Sequence, residues 1–205
     1  EITAPANIVT TTNSGCTATG VVLGSPVTSD NCGSTTVKNN APSAFPVGTT
    51  TVTWVVTDGS GNTASATQTV TVSDDDAPVA PSLSTINAEC SVTVTAPTAQ
   101  DNCAGTVTGT TTDPLTYTLQ GNYKITWKFT DVNGNSSTAE QNVVIKDQTN
   151  PTITAPAAKT VFADAGNCTA SNVSLGTPTT GDNCSVASVT NNAPATFPLG
   201  NTTVT

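Results

Sequence analysis

The tripeptide Asp-Asn-Cys occurs three times, as Asp30-Asn31-Cys32, Asp101-Asn102-Cys103 and Asp182-Asn183-Cys184, and each copy follows another cysteine, Cys16, Cys90 or Cys168. Self-similarity at a period of this size marks a tandem array of small modules rather than one large domain. A second match fixes the frame: Asn39-Asn40-Ala41-Pro42 with Phe45-Pro46-Val47-Gly48 recurs as Asn191-Asn192-Ala193-Pro194 with Phe197-Pro198-Leu199-Gly200. Behind the first lies Thr51 to Thr57, running into Asp58-Gly59-Ser60-Gly61-Asn62, matched by Lys124 to Thr130 running into Asp131-Val132-Asn133-Gly134-Asn135. An alternating segment follows each turn, Ala64 to Val72 or Ser137 to Ile145, and then an acidic, proline-ended junction, Asp74 to Pro78 or Asp147 to Pro151. The expected units are 1–76, 77–149 and 150–205. Thr205 aligns with Thr53, so the third unit stops before its last two strands, and the chain reads as a piece of something larger.

Period two sets the secondary structure. Val52, Trp54 and Val56 share one face of their segment and threonines fill most of the other, the pattern of a half-buried strand. Ala64, Ala66, Gln68, Val70 and Val72 are in phase on the partner, and Gly61-Asn62 supplies the turn of a hairpin. Further strands are expected at Asn7 to Thr12, Gly20 to Leu23 and Thr35 to Asn39. With 45 threonines in 205 residues, strands are favoured over helices. The expected fold class is all-β, as tandem immunoglobulin-like two-sheet sandwiches. By phase, Trp54, Trp127 and Phe129 belong to the core; the competing reading of the tryptophans is as exposed platforms for carbohydrate. A unit of about 75 residues has a thin core, and crosslinks or ions help such modules.

The charged groups exclude several functions. Fourteen acidic residues against five lysines, a net charge of -9, oppose nucleic-acid binding, which uses basic patches. Without histidine there is no imidazole base and no histidine-ligated metal. No apolar run is long enough to span a membrane, and neither a membrane span nor a signal peptide is expected within these residues. Paired aspartates can hydrolyse glycosides, but here they recur with the module period, which fits architecture better than a single active centre. No catalytic residue is expected.

The acidic residues gather at the Asp-Asn-Cys loops, the Asp-x-x-Gly-Asn turns and the junctions. In an immunoglobulin-like topology these meet at one end of the sandwich, giving oxygen-only clusters suited to Ca2+, which accepts six to eight oxygens at flexible geometry. The expected ligand sets are Asp30, Asp58 and Asn62; then Asp74, Asp76, Asp101, Asp131 and Asn135; and a partial set of Asp147, Asn150 and Asp182. The competing reading is plain turn chemistry, in which Asp and Asn bond to their own backbone. Zinc is disfavoured because the cysteines look paired. The local spacings point to structural disulfides Cys16 to Cys32, Cys90 to Cys103 and Cys168 to Cys184 in an oxidising compartment, against the alternative of a reactive thiol.

The pattern of Trp54, Asp58, Gly61 and Asn62, of Trp127, Asp131, Gly134 and Asn135, and of Cys16 to Cys32 with their counterparts resembles the hyalin repeat. This immunoglobulin-like extracellular module is strung together in very long bacterial surface adhesins. Gliding or biofilm adhesins of Bacteroidetes-like bacteria are similar in their Thr-rich, low-charge style. The resemblance implies a non-catalytic stalk or adhesive array at the cell surface. Its partners would be neighbouring repeats and a surface polysaccharide or protein ligand, without membrane insertion. The alternative is an accessory array attached to a secreted enzyme. One departure stands out: the family's usual cysteine in the last strand is absent from Ala64 to Val72 and Ser137 to Ile145.

Overall fold

A computed structural model describes residues 1–31 and 33–205. Every regular element among the described residues is a strand. The strands are β1 (Ile2–Thr3), β2 (Ile8–Thr11), β3 (Thr17–Thr19), β4 (Val27–Thr28), β5 (Thr36–Asn39), β6 (Ala44–Pro46), β7 (Gly48–Thr57) and β8 (Thr63–Ser73). They continue as β9 (Ile86–Ala88), β10 (Val92–Thr93), β11 (Thr98–Asp101), β12 (Gly105–Thr108), β13 (Thr116–Tyr117), β14 (Gly121–Thr130) and β15 (Ser136–Ile145). The last are β16 (Thr152–Thr154), β17 (Thr169–Ser171), β18 (Thr179–Gly181) and β19 (Thr196–Pro198). The fold is all-β, as expected.

The chain forms two compact units. The first comprises Glu1–Ser84, Thr95–Pro114 and Ile125–Gln141, the second Thr85–Val94, Leu115–Lys124 and Asn142–Thr205. The second repeat contributes chain to both.

In the first unit a four-stranded sheet runs in the order β2, β8, β7, β5. The β7–β8 hairpin is antiparallel, with Trp54 opposite Ala66. β2 returns parallel to β8, with Ile8 opposite Val70. A second layer is made of the short pairs β3–β6, with Ala18 opposite Phe45, and β1–β4. The alternation read from sequence places Val52, Trp54, Val70 and Val72 against Ala18 and Phe45, and these form the core with Ile2, Ile8, Val21, Leu23 and Val47 packed at its margin. One polar side chain lies within this layer. Gln68 is wholly buried, accepting from Trp54 Nε1 at 3.1 Å and donating to the carbonyls of Ala6 and Leu23 at 2.7 and 3.0 Å. Both N–H donors and the carbonyl oxygen are engaged, so burial carries little penalty. The second repeat copies the device: Trp127 Nε1 donates to Gln141 at 3.0 Å, and Gln141 donates to the Ser84 carbonyl at 3.3 Å. Trp127 and Phe129 are buried, which bears out their reading as core.

The stretch Gly20 to Leu23 is not a strand. Gly20 sits at φ +67, in the left-handed region that ends extended structure, although Val21 and Leu23 still reach the core margin.

In the second unit β9 runs parallel to β15, with Ile86 opposite Val143, and β10 pairs with β13. The third repeat supplies β16–β18 and β17–β19. The β17–β19 register, Ala170 opposite Phe197, repeats that of Ala18 opposite Phe45. Among the described residues nothing equivalent to the β7–β8 hairpin covers it. An open groove of about 760 Å³ remains, lined by Ile153, Val173, Leu175, Phe197, Leu199 and Val204 among others.

The expected disulfide pairing is overturned. Cys16 bonds Cys103, with Cα atoms 4.7 Å apart, and Cys90 bonds Cys184, with Cα atoms 5.1 Å apart. Both separations are ordinary for a bridge. Cys168 is free and exposed, so Cys168 to Cys184 and Cys90 to Cys103 do not form. Cys32 lies outside the described residues, but Cys16, its expected partner, is engaged elsewhere. Sequence spacing measures contour and not direction. The early cysteine stands on the loop leading into β3, and it meets the Asp-Asn-Cys loop of the following repeat rather than that of its own. The bridges therefore enclose spans of 87 and 94 residues. In the chain-entropy account such loops contribute about 4.7 kcal/mol each, against about 3 kcal/mol for one of 15 residues.

A carboxylate cluster as candidate cation site

The hairpin turns are built by their first aspartate. Asp131 Oδ1 accepts from the backbone N–H of Asn133 and Asn135 at 2.9 and 2.8 Å, while Oδ2 accepts from the Asn135 carboxamide at 2.9 Å. Gly134 takes φ +96, a conformation available at little cost only without a Cβ. The first repeat has the same turn: Asp58 accepts from Ser60 N at 2.8 Å, Asn62 N at 2.9 Å and Asn62 Nδ2 at 2.8 Å. This much is turn chemistry, and it depresses both carboxyl groups. At Asp58 the Asn62 carboxamide, followed by the Asn62 backbone, lowers the pKa. At Asp131 burial is the largest influence and pushes upward, but the combined hydrogen bonds of Asn135, Asn133 and Gly134 outweigh it, and the pKa falls below the usual aspartate value.

The two turns differ in their surroundings. Among the described residues, carboxylates and cysteines gather in threes at two places, and one of them is Asp74, Asp101 and Asp131, with Asp74 and Asp131 buried and Asp101 at the margin of burial, 9% exposed. One ligand atom of each lies within 4.8 Å of the others. Asp74 follows β8, Asp101 ends β11, and Asp131 opens the turn after β14. The junction, the Asp-Asn-Cys loop and the hairpin turn thus converge within the first unit. Asn135 ties two of them, donating from Nδ2 to the Asp74 carbonyl at 3.1 Å.

The oxygens of this cluster are unequally satisfied. Asp101 Oδ1 accepts from Cys103 N and Ala104 N at 2.9 and 2.6 Å, and Asp74 Oδ1 accepts from Asp76 N at 3.3 Å. Asp74 Oδ2 and Asp101 Oδ2 are buried without a hydrogen-bond partner. A buried polar atom left unpaired costs about 1–3 kcal/mol, more when charged, and like charges at this separation add repulsion. A divalent cation removes both penalties. Calcium bonds oxygen at about 2.3–2.6 Å, so ligands on opposite sides of it lie roughly 5 Å apart, and the cluster fits within that span. No histidine is present and Cys103 is bridged, which disfavours zinc.

The other expected ligands fall differently. Asp76 is outside the trio; its Oδ2 accepts from Asn102 Nδ2 at 2.9 Å and Thr12 Oγ1 at 3.4 Å. The Asn135 and Asn62 carboxamides act as donors to aspartate. Asp30 is exposed beyond β4, and among the described residues no trio forms around Asp30 and Asp58. In the second unit Asp147, Asp182 and Cys184 gather, but the Cys184 sulfur is bonded to Cys90, leaving two carboxylates. Asp182 repeats the arrangement at Asp101, accepting from Cys184 N and Ser185 N at 2.8 and 3.0 Å, and Asp147 Oδ1 accepts from Thr149 N at 3.0 Å. Asn150 is exposed. Asn102, whose Nδ2 also donates to the Gly15 carbonyl at 3.1 Å, is a residue of the site that the sequence reading does not single out; its recurrence before each late cysteine is the available signal.

Residues 1–72 match the HYR domain family. The chain is 33% identical over 210 residues to hyalin of Strongylocentrotus purpuratus, covering 93% of the chain and 18% of that protein. It is 33% identical over 198 residues to hyalin of Lytechinus variegatus, covering 88% of the chain and 37% of that protein. The chain thus spans well under half the length of these relatives. Among solved structures it is similar to human protocadherin-24 EC1-2, with 17% identity, a TM-score of 0.38 and coverage of 71% of this chain and 96% of that one. It is also similar to the human desmocollin-1 ectodomain, with 12% identity, a TM-score of 0.30 and coverage of 82% and 44%. The first repeat is thus similar to a hyalin-repeat module.

Proposed function

We propose that this chain is a calcium-stiffened extracellular segment of a cell-surface adhesin, organised as repeats 1–76, 77–149 and 150–205 and acting as stalk or adhesive array. The observation that carries the reading is the pair of buried, unpartnered oxygens, Asp74 Oδ2 and Asp101 Oδ2, beside Asp131. Asp74 belongs to the junction leaving the first repeat, Asp101 and Asp131 to two loops of the second. An ion held by all three fixes that junction against those loops and removes a hinge. The Cys16–Cys103 bridge restrains the same join covalently, as befits an oxidising exterior.

The hyalin relatives support a repeat module of adhesion type. The Thr-rich, low-charge style supports a long bacterial surface protein of the gliding-adhesin kind as the parent. Net negative charge fits partners reached through divalent ions, such as acidic surface polymers, better than nucleic acid or anionic lipid.

Thermal unfolding in excess chelator, then with calcium restored, tests the reading. Calcium is expected to raise the midpoint, and small-angle scattering to report a longer maximum dimension with the ion than without it. Identical melts and identical scattering in both conditions contradict the proposal.

A further inference from the structure

The two disulfides obey one rule. Each joins the early cysteine of one repeat to the Asp-Asn-Cys cysteine of the next: Cys16 to Cys103, Cys90 to Cys184. Each is accompanied by a contact to the same position, made to a backbone carbonyl in one case and to a side-chain carboxylate in the other. The asparagine before the late cysteine donates to the residue before the early one, Asn102 to the Gly15 carbonyl at 3.1 Å and Asn183 to the Glu89 carboxylate.

Cys168 occupies the early position of the third repeat and is exposed and free. The loop that carries it is built like the loop that carries Cys16. Asn13 N donates to the Thr17 carbonyl at 2.9 Å, and Asp164 N donates to the Thr169 carbonyl at 2.9 Å. The Asn13 side chain accepts from Thr19 N at 2.8 Å, and the Asp164 carboxylate accepts from Ser171 N at 3.0 Å. The strands leaving the two cysteines, β3 and β17, pair in the same register with β6 and β19. The thiol therefore occupies the position in the repeat that carries a bonded sulfur in the first, on a loop one residue longer that is closed by corresponding contacts.

We propose that Cys168 is a covalent docking site for the Asp-Asn-Cys loop of a further hyalin-type repeat, so that disulfides run from each repeat to the next along the array. The inference is independent of cation binding. The chemistry is thiol–disulfide exchange with a low-molecular-weight disulfide such as oxidised glutathione. One glutathionyl group is first transferred to the late cysteine, releasing glutathione. The Cys168 thiolate then attacks that cysteine's sulfur, the protein disulfide forms, and a second glutathione thiolate leaves and takes up a proton. Two thiols are oxidised and one glutathione disulfide is reduced. The contact is heterologous, head of one module to tail of another, and does not close on itself.

The remaining Asp-Asn-Cys sequence, Asp30-Asn31-Cys32, makes a second copy of the chain the probe. The full chain is incubated in a glutathione redox buffer, separated on non-reducing gels, and digested for mass analysis without reduction. Multimers carrying a Cys168–Cys32 crosslink between copies are expected, with the two internal bridges unchanged. Cys168→Ser abolishes the multimers, and Asn31→Ala, which removes the asparagine side chain and keeps both cysteines, lowers their yield several-fold. A Cys168–Cys168 crosslink, a bond to Cys32 within one copy, Cys168 remaining as thiol or mixed glutathione disulfide, or unchanged yield in Asn31→Ala each overturns the proposal.

Discussion

The Asn135 carboxamide donates to the backbone carbonyl of Asp74 at 3.1 Å. This single bond joins a hairpin turn of the second repeat to the junction leaving the first, and Asp131, bonded to the same carboxamide at 2.9 Å, is thereby placed beside Asp74. The carboxylate cluster is a consequence of turn chemistry brought to a join.

Neutralising one member of the cluster has opposite consequences with and without calcium. Asp74→Asn removes a ligand charge but also a source of repulsion, and Asp74 Oδ1 accepts only one backbone bond in the structure. The variant is expected to lose most of the calcium-induced rise in unfolding midpoint while matching or exceeding the parent in chelator. Differential scanning calorimetry under both conditions checks this. A variant that still gains the full increment from calcium contradicts the assignment.

Breaking the first inter-repeat bridge should loosen the cation site as well as the fold. Cys103 lies two residues beyond Asp101 and donates its N–H to that carboxylate. Replacing Cys16 and Cys103 together by serine is expected to cost about 2–5 kcal/mol in urea unfolding and to weaken calcium affinity measured by titration calorimetry. Equal affinity in the two proteins separates the bridge from the site.

The repeat frame, the β7–β8 hairpin and the buried tryptophans are legible in the sequence because alternation over ten residues reports directly on which face is buried. The short pairs β3–β6 and β1–β4 are not, since two or three residues hold no period and Pro46 ends one of them. Asp74, Asp101 and Asp131 could be grouped in advance because each lies at a loop that a sandwich brings to one end. Asp76 could not be separated from Asp74 that way; neighbours in sequence, they diverge because Asn102 captures the Asp76 carboxylate. The disulfides were misassigned because 13 to 16 residues of contour is compatible with a local bridge, and nothing in one repeat announces that its loop will meet the next.

Gln68 and Gln141 offer a matched pair for the core. Gln68→Leu leaves Trp54 Nε1 and the carbonyls of Ala6 and Leu23 without their partner in a buried layer. A loss of about 2–4 kcal/mol is expected. Gln141→Leu should cost less, because Gln141 is only half-buried. Urea midpoints of the two variants test the order, and a reversed ranking contradicts it.

Acid should unfold the protein partly through its turns. Asp58 and Asp131 have folded pKa values below the ordinary aspartate value, near 3.9 in unfolded chains. Between the folded and unfolded values the unfolded state binds more protons, so stability falls as pH falls. Their contribution is complete above about pH 5, erodes through the unfolded value near 3.9 and is gone once the pH lies below the folded value. Asp58→Asn, which lies outside the cluster, is expected to flatten the decline in urea midpoint over that range while leaving calcium binding unchanged. A decline as steep as that of the parent rules out this contribution.

The most direct test of the account is a crystal structure of the chain grown with calcium. It should show an ion at about 2.3–2.6 Å from carboxylate oxygens of Asp74, Asp101 and Asp131, with Asp74 Oδ2 and Asp101 Oδ2 among its ligands. Ordered carboxylates around a water molecule, or around no density, at saturating calcium would contradict it.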